Sequence, residues 1–130
     1  MKRTALVALF LAAALGQASA QDAAAGEKVF AVCKACHQVG DTAKNAVGPV
    51  LNGLIGRKAG SVEGYNYSEA NKKSGITWTE EEFTKYIQDP KGVVPGTKMA
   101  FAGIKDPQKI KDLIAYLHTF DKAPVKLTQQ

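Results

Sequence analysis

The chain has 130 residues, a length that suggests one domain. Its 17 Lys and Arg residues outnumber its 12 Asp and Glu residues, which gives a formal net charge of +5 at pH 7. Arg57 is the only arginine after Arg3, and the lysines form no dense run, so nucleic acid is not an expected partner. Dispersed lysines suit brief docking to acidic protein surfaces, unless they serve only to keep the chain in solution.

The first twenty residues have the organisation of a secretory signal peptide. Lys2 and Arg3 precede an apolar run from Ala5 to Leu15, and the small residues Ala18-Ser19-Ala20 form a cleavage site. The apolar run is too short to span a bilayer comfortably. We therefore predict cleavage after Ala20 and a mature, exported, soluble domain of residues 21–130. Without Lys2 and Arg3, 15 basic residues face 12 acidic ones, a net charge near +3.

The first half of the mature chain contains two helix patterns. Apolar residues recur at helical spacing across residues 22–37, behind Asp22 as a candidate N-cap. A shorter helix is predicted from Ser68 toward Gly75. No stretch alternates apolar and polar residues as a half-buried strand would, so the sequence predicts an all-α fold.

The second half contains two further helix patterns. Thr79 and Glu82 form a candidate capping box for a helix that stops at Asp89-Pro90. Asp106 is a candidate N-cap for the last helix, with Pro107 at its first position and one apolar face behind it. Residues 121–130 are expected to form a loose tail.

Long connections rich in Gly and Pro occupy residues 47–60 and 90–103. Structureless connections of this length are uncommon in compact domains, and a chain this short has little volume for a core. The sequence therefore predicts a large apolar cofactor with the loops wrapped around it.

The segment CKACH contains the only two cysteines, Cys33 and Cys36, followed directly by His37. On a helix these three side chains would project from one face. A redox disulfide would normally follow a strand in a βαβ unit, and a zinc site would need a fourth ligand, for which only His118 or a carboxylate remains. Covalent haem attachment, with His37 as an iron ligand, is favoured over both.

The iron then needs a sixth ligand or keeps an open position. After signal-peptide removal, Met99 and His118 are the neutral candidates. His118 lies near the polar side of the last helix and is expected at the surface. Met99 lies in the loop that must cover the haem, after a turn at Pro95-Gly96. Methionine opposite histidine raises the reduction potential and favours electron transfer over oxygen chemistry.

These motifs, in their order and spacing, resemble the class I c-type cytochromes, and specifically the short cytochrome c2 of purple bacteria, close in pattern to mitochondrial cytochrome c. The resemblance covers about residues 22–120. It rests on the segments CKACH, VGPVLNGLIGRKAG, YSEANKKSGITW, DPKGVVPGTKMAFAGIK and DLIAYL. It implies the cytochrome c fold, in which helices and long loops wrap around one covalently attached haem c.

The resemblance also implies roles for particular residues. Cys33 and Cys36 would carry the thioethers, and His37 and Met99 would be the axial ligands. Pro49 would accept a hydrogen bond from the ring of His37. The remaining implied contacts are donors to the inner haem propionate, namely Arg57, Tyr67 and Trp78, and a polar cluster beside Met99, namely Asn71, Tyr86 and Thr97.

Three further positions are structural in this interpretation. Gly26 would permit close crossing of the first and last helices, with Phe30 and Tyr116 packed at the contact. The sequence departs from many relatives at Asn45, where they carry a histidine, so the loop contact of that histidine does not carry over.

Charge is distributed unevenly along the chain. Residues 79–90 have a net charge of −3, whereas residues 91–111, which include the Met99 loop, have a net charge of +4. The resemblance places lysines around an exposed haem edge near Met99 and Phe101. The predicted docking lysines are Lys34, Lys44, Lys91, Lys98 and Lys105.

The expected function is a monomeric, non-enzymatic periplasmic carrier of single electrons between membrane redox complexes. The expected donor is quinol–cytochrome c reductase, and the acceptor would be a photosynthetic reaction centre, a terminal oxidase or a periplasmic reductase. One competing class is a haem enzyme or gas sensor with an open iron position. Another is a thiol-disulfide oxidoreductase without haem.

Overall fold

Five α-helices organise residues 21–128, the part of the chain that this computed structural model describes. They are α1 (Ala23–Phe30), α2 (Glu69–Lys73), α3 (Glu80–Gln88), α4 (Pro90–Val93) and α5 (Pro107–His118). These residues contain two isolated β-bridges and no strand, which confirms the all-α prediction. No helix among them is long and apolar enough to cross a membrane. The predicted signal peptide lies outside the described residues.

Helices α1 and α5 cross at a contact that requires glycine. A Cβ atom at Gly26 would lie 1.9 Å from the backbone oxygen of Asp112, so any larger residue would push the helices apart. Beside this point the rings of Phe30 and Tyr116 pack with their centroids 5.3 Å apart. The backbone N–H of Asp22 donates to Asp112 Oδ1 at 3.0 Å. The expected helix crossing and its two aromatic residues are confirmed.

Side chains cap the helices at all four predicted starts. The capping residues, each of which accepts a hydrogen bond from a backbone N–H, are Asp22, Ser68, Thr79 and Asp106. The predicted capping box is only half formed: the Glu82 N–H donates to Thr79 Oγ1 at 3.1 Å, but the Glu82 carboxylate lies 3.0 Å from Lys85 Nζ. Local side-chain chemistry therefore sets where these helices begin.

The prediction of one helix across residues 22–37 is wrong, because α1 ends at Phe30. Beyond it, backbone hydrogen bonds join residues three positions apart instead of four. The Cys33 N–H donates to Phe30 O at 2.8 Å, and the Cys36 N–H donates to Cys33 O at 3.1 Å. Three-residue bonds wind the chain more tightly than an α-helix does. The CKACH segment is thus a series of turns, closed by a bond from the His37 N–H to Cys33 O at 2.9 Å.

Helix α4 was not predicted, although its residues explain it. Asp89 caps it, accepting from the Gly92 N–H at 3.1 Å, and Pro90 occupies its first position. The Asp-Pro pair that ends α3 therefore starts a second helix at once, because proline needs no N–H partner in a first turn.

The expected loose tail is also wrong for residues 121–128. Leu127 forms a β-bridge with Val62, and the Thr128 N–H donates to Ser61 O at 2.7 Å. Pro124 O accepts from the side chain of Asn52 at 2.9 Å. These contacts hold the segment against the loops that follow the CKACH turns.

The apolar core lies between α1, α3 and α5, where Phe30, Ile110, Leu113 and Leu117 are almost completely buried. The long connections at 47–60 and 90–103 fold over one side of this core and carry Leu51, Leu54 and Phe101 against it. A cavity lies between these loops and the core helices, and it is the candidate functional site.

Candidate functional site

A cavity of about 360 Å³ opens between the core helices and the long loops. This lies within the range of small-molecule and cofactor pockets, about 300–1,000 Å³. Its walls include core side chains of α1, α3 and α5, so the cavity is an extension of the hydrophobic interior. All eleven residues expected to contact haem line it: Cys33, Cys36, His37, Pro49, Arg57, Tyr67, Asn71, Trp78, Tyr86, Thr97 and Met99.

His37 is held in one orientation by the loop that follows the CKACH turns. Its Nδ1 lies 2.7 Å from the carbonyl oxygen of Pro49. Because a carbonyl only accepts, Nδ1 carries the proton and Nε2 has the lone pair that a metal ligand needs. The ring packs on Gly48, where an added Cβ would lie 2.3 Å from Cε1.

Burial also keeps this imidazole neutral. Burial lowers the pKa of His37 below its ordinary value, Arg57 lowers it further, and the bond to Pro49 opposes them. Since only the neutral ring coordinates a metal, the environment favours the ligating form.

The two thiols line the cavity as partly buried, unbridged cysteines. Burial, aided by the neighbouring Cys36, raises the pKa of the Cys33 thiol to about 11. Thiol-disulfide enzymes depend on a lowered thiol pKa, so this environment argues against that alternative. Within residues 21–128 no three His, Cys, Asp or Glu side chains form a group that could hold a metal ion.

Met99 belongs to a small polar cluster on the cavity wall. The Tyr86 hydroxyl lies 3.3 Å from Met99 Sδ and 3.3 Å from Thr97 Oγ1. Thr97 Oγ1 also accepts from the Met99 N–H at 3.2 Å. Asn71, which lines the same cavity, has a buried Oδ1 with no hydrogen-bond partner in the described residues. A buried polar atom without a partner is costly, so this wall is suited to a polar or coordinated guest.

Arg57 is a buried cation at another wall of the cavity. Its Nη1 donates to the backbone oxygen of Asn52 at 2.9 Å, but its buried Nε has no partner in the described residues. No ion pair to Arg57 occurs among residues 21–128, and burial lowers its pKa. Beside it, Tyr67 accepts from the Val62 N–H at 3.1 Å, which leaves the Tyr67 O–H proton available. A carboxylate entering the cavity would supply the missing partner.

These observations fit haem. An apolar cavity accepts the macrocycle, two thiols and an oriented imidazole lie at one edge, a thioether lies on another loop, and an uncompensated guanidinium suits a propionate. The third predicted propionate donor, Trp78, packs its ring 4.7 Å from that of Tyr86.

Asn45, at the position where many relatives were expected to carry a histidine, joins two loops through its side chain. Its Nδ2 donates to Glu63 O at 3.1 Å, and its Oδ1 accepts from the Val50 N–H at 3.0 Å. An asparagine side chain has both a donor and an acceptor, so it can join two loops here without a histidine.

Two site residues were missed by the sequence analysis. Tyr65 lines the cavity, and its hydroxyl donates to Val47 O at 2.7 Å, which ties two loops at the rim. Asn52 is completely buried and supports Arg57. Its position in an otherwise apolar stretch, VLNGL, is a sequence feature that could have drawn attention to it.

The five predicted docking lysines are all exposed. Lys98 is the one among them that lines the cavity, and its Nζ donates to Asn66 O at 3.0 Å. Lys105 Nζ donates to the backbone oxygen of Gln88. Val32 and Val47, which also line the cavity, are 58% and 73% exposed, so its mouth is partly apolar.

His118 does not line the cavity and lies at the surface, as expected. Its Nε2 is 2.8 Å from Glu80 Oε1, and its Nδ1 is 2.8 Å from Asp121 Oδ2. Carboxylates only accept, so both ring nitrogens must donate and the ring is an imidazolium. The bonds to Asp121 and Glu80 raise the pKa of His118 above its ordinary value.

His118 is expected to make stability depend on pH. Since its folded-state pKa is raised above 6.5, its contribution is complete below pH 6.5 and is lost as the pH rises through the raised value. We expect His118→Gln to lower the unfolding free energy at pH 6 but hardly at pH 9, by at most about 1 kcal/mol because the pair is exposed. Denaturant titrations of both proteins at the two pH values measure this. An equal difference at both values would contradict it.

The Cytochrome c family model matches residues 23–121, and the chain therefore belongs to the cytochrome c family. Cytochrome c2 of Blastochloris viridis is 63% identical over 111 residues, which cover 85% of this chain and 87% of that protein. The solved structure of cytochrome cH from Methylobacterium extorquens matches with a TM-score of 0.70 at 56% identity, covering 75% of this chain and 98% of that one. For cytochrome c2 from Rhodospirillum centenum the TM-score is 0.72 at 41% identity, covering 79% and 99%.

The family and these similarities define the class. The chain has the all-α cytochrome c fold, resembles cytochrome c2 among the class I c-type cytochromes, and takes covalently bound haem c. Its general role is that of an electron carrier.

Proposed function

We propose that the chain is a soluble periplasmic shuttle for single electrons, with His37 and Met99 as the axial ligands of haem c. The observation that carries the proposal is the orientation of His37: its Nδ1 is committed to Pro49 at 2.7 Å, which leaves Nε2 to bind iron inside the cavity that Met99 also lines. Cys33 and Cys36, which line the same cavity, are the thioether residues. When bound, haem c supplies a one-electron redox centre.

The chain's own residues hold and tune this centre. Pro49 fixes the imidazole ring and increases its donor strength. Tyr86 and Thr97 hold the Met99 loop at the cavity wall. Arg57 and Tyr67, with Trp78 beside them, would meet the inner propionate, and Asn71 contributes to the polar cluster near Met99. His37 and Met99 would together fill the coordination sites of the iron that the porphyrin leaves free, so a change of oxidation state would need little movement of the protein.

The visible spectrum of the purified protein tests the ligand set. Six-coordinate, low-spin iron with a methionine-sulfur charge-transfer band is the expected result. Five-coordinate, high-spin iron at rest would instead indicate the competing class, a haem enzyme or gas sensor with an open position. A colourless protein with titratable thiols would indicate a thiol-disulfide oxidoreductase.

The proposed electron donor is quinol–cytochrome c reductase. The acceptor is a photosynthetic reaction centre, a terminal oxidase or a periplasmic reductase. Reduction and oxidation rates measured with membranes of the same cells, with and without inhibitors of each complex, identify the physiological pair.

Lys98→Glu is expected to slow the reaction with the physiological partner by roughly two- to tenfold at low salt. Lys98 is exposed at the cavity mouth, so reversal of its charge weakens electrostatic attraction to an acidic partner. Stopped-flow measurement of the second-order rate constant over a range of ionic strengths is the test.

Lys126→Glu is the matched control, because Lys126 is exposed in the C-terminal segment and does not line the haem cavity. Salt should shrink the difference, since exposed charges are screened beyond about 8 Å at roughly 0.15 M. Equal effects of the two substitutions, or rates indifferent to salt, would mean that these lysines only keep the chain in solution.

A further inference from the structure

The C-terminal segment of residues 121–128, here called the C-terminal strap, is linked to two of the three predicted propionate donors through one residue each. Asn52 connects it to Arg57, and Val62 connects it to Tyr67. We infer that the strap positions Arg57 and Tyr67 and thereby raises the reduction potential of the bound haem. This inference rests on the proposed function, because it concerns the potential of an electron carrier.

One path runs from the strap to Arg57 through Asn52. Asn52 is 0% exposed, and its Nδ2 donates to Pro124 O at 2.9 Å and to Gly40 O at 2.8 Å. Its Oδ1 accepts from the Gly40 N–H at 2.9 Å. These three bonds hold Asn52 in place. The backbone carbonyl oxygen of Asn52 in turn accepts a hydrogen bond from Arg57 Nη1 at 2.9 Å. The strap therefore helps to determine where the guanidinium sits.

A second path begins with backbone pairing between the strap and residues 61–63. The Glu63 N–H donates to Lys126 O at 2.9 Å, and the Thr128 N–H donates to Ser61 O at 2.7 Å. Thr128 Oγ1 donates to the same oxygen at 3.2 Å. Ser61 is 4% exposed, so the paired segment is fixed on the protein and is not a free loop.

The residue between these two pairs reaches Tyr67. The N–H of Val62 points away from the strap and donates to the Tyr67 hydroxyl oxygen at 3.1 Å. This bond uses the hydroxyl as an acceptor, so its own proton remains for a guest in the cavity. Pairing with the strap thus fixes the donor that orients the Tyr67 hydroxyl.

The sign of the effect follows from electrostatics. Oxidation adds positive charge at the iron, while Arg57 and well-placed donors offset the negative charge of a propionate. If Arg57 and these donors move away, the negative charge of the propionate is less well compensated and water can enter the cavity. Both changes stabilise the oxidised form of the haem. Loss of the strap should therefore lower the potential without changing the axial ligands.

Two variants test the inference in the holoprotein. Ending the chain after Lys122 removes the contacts at 124, 126 and 128, whereas ending it after Thr128 is the matched control. Thr128→Pro removes both bonds to Ser61 at one exposed position, and Thr128→Ala removes only the hydroxyl. The readouts are the midpoint potential from a redox titration, the methionine-sulfur band, and hydrogen exchange at the Val62 and Glu63 amides.

We expect both the shortened chain and Thr128→Pro to have a lower potential, an unchanged methionine-sulfur band, and exchange at Val62 and Glu63 that is at least about tenfold faster. The chain that ends after Thr128 should resemble the parent, and Thr128→Ala should give values between those of the parent and those of Thr128→Pro. If the shortened chain does not fold, Thr128→Pro decides.

An unchanged potential despite faster exchange at Val62 and Glu63 would overturn the inference, and so would unchanged exchange. Failure of the proposed function has a different signature, which is absence of the methionine-sulfur band from the parent protein itself.

Discussion

Replacing both Cys33 and Cys36 with alanine is expected to leave a largely unfolded, protease-sensitive chain. The cavity of about 360 Å³ borders the buried residues Phe30, Leu113 and Leu117, so without haem it is a gap in the main core. Burial of apolar surface contributes about 25 cal/mol per Å², so leaving these side chains against water instead of haem removes stabilisation on the order of several kcal/mol. Small domains are stable by about 5–15 kcal/mol in total, so this loss is comparable with the whole stability.

The helices cannot compensate for that loss. The longest of the five in the described residues, α5, has 12 residues, and α4 has only 4. Isolated helices of this length are marginal in water, and they depend on packing against one another and against the cofactor. Folding of the chain and covalent attachment of haem are therefore expected to be linked.

Far-ultraviolet circular dichroism and limited proteolysis of the double variant measure this linkage. The single variants Cys33→Ala and Cys36→Ala, which each keep one attachment point, are the controls and should retain more structure. A double variant that unfolds cooperatively from the helix content of the holoprotein would contradict the prediction.

Helix starts were predictable because they depend on a few adjacent residues. Asp22, Ser68, Thr79 and Asp106 each accept from an N–H within three residues, and this chemistry is visible in the sequence. The end of α1 was not predictable in the same way. Apolar periodicity continues through Cys36, but the backbone changes to three-residue hydrogen bonds.

Contacts between segments that are distant in the chain could not be predicted from the sequence. The strap meets Ser61 and Val62 more than sixty positions earlier in the chain, and no local pattern marks such a pairing. The contacts of Asn52 and Asn45 likewise depend on the paths of loops that surround the cavity.

The cavity residues could be named from the sequence for two different reasons. CKACH carries its own chemistry, because two thiols and a histidine at that spacing suit one haem. Met99 was also identified from the sequence itself, as a candidate ligand in the loop that must cover the haem. The residues from Pro49 to Thr97 came from resemblance, and the structure brings all of them to one cavity. Their individual roles toward haem stay predictions, of which the role of Met99 has the largest consequence.

Met99→Ala is expected to open the iron and to abolish the methionine-sulfur band. Met99 Sδ is the only thioether sulfur of the mature chain predicted from the sequence, and it lies 3.3 Å from the Tyr86 hydroxyl on the cavity wall. Without it, the site should bind small external ligands and show weak peroxidase activity. Because axial ligands set haem potentials over about 0.8 V, the potential should fall by on the order of 0.1 V or more.

The position of Lys98 should make the iron ligation of the Met99→Ala variant depend on pH. Lys98 is exposed, borders the cavity and directly precedes Met99. Only a neutral amine can coordinate, so lysine ligation should emerge at high pH and restore a low-spin spectrum without the sulfur band. The double variant Lys98→Ala, Met99→Ala should lose this high-pH change and stay open to external ligands.

His118→Ala is the matched control for the Met99 variant, because it removes the other candidate ligand without touching the cavity wall. His118 already has both ring nitrogens 2.8 Å from carboxylates, and release of either would cost an ion pair before the ring could reach iron. Its spectrum and potential should therefore equal those of the parent. If His118→Ala alters both while Met99→Ala alters neither, Met99 is not the ligand, and the electron-transfer proposal loses its sixth coordination position.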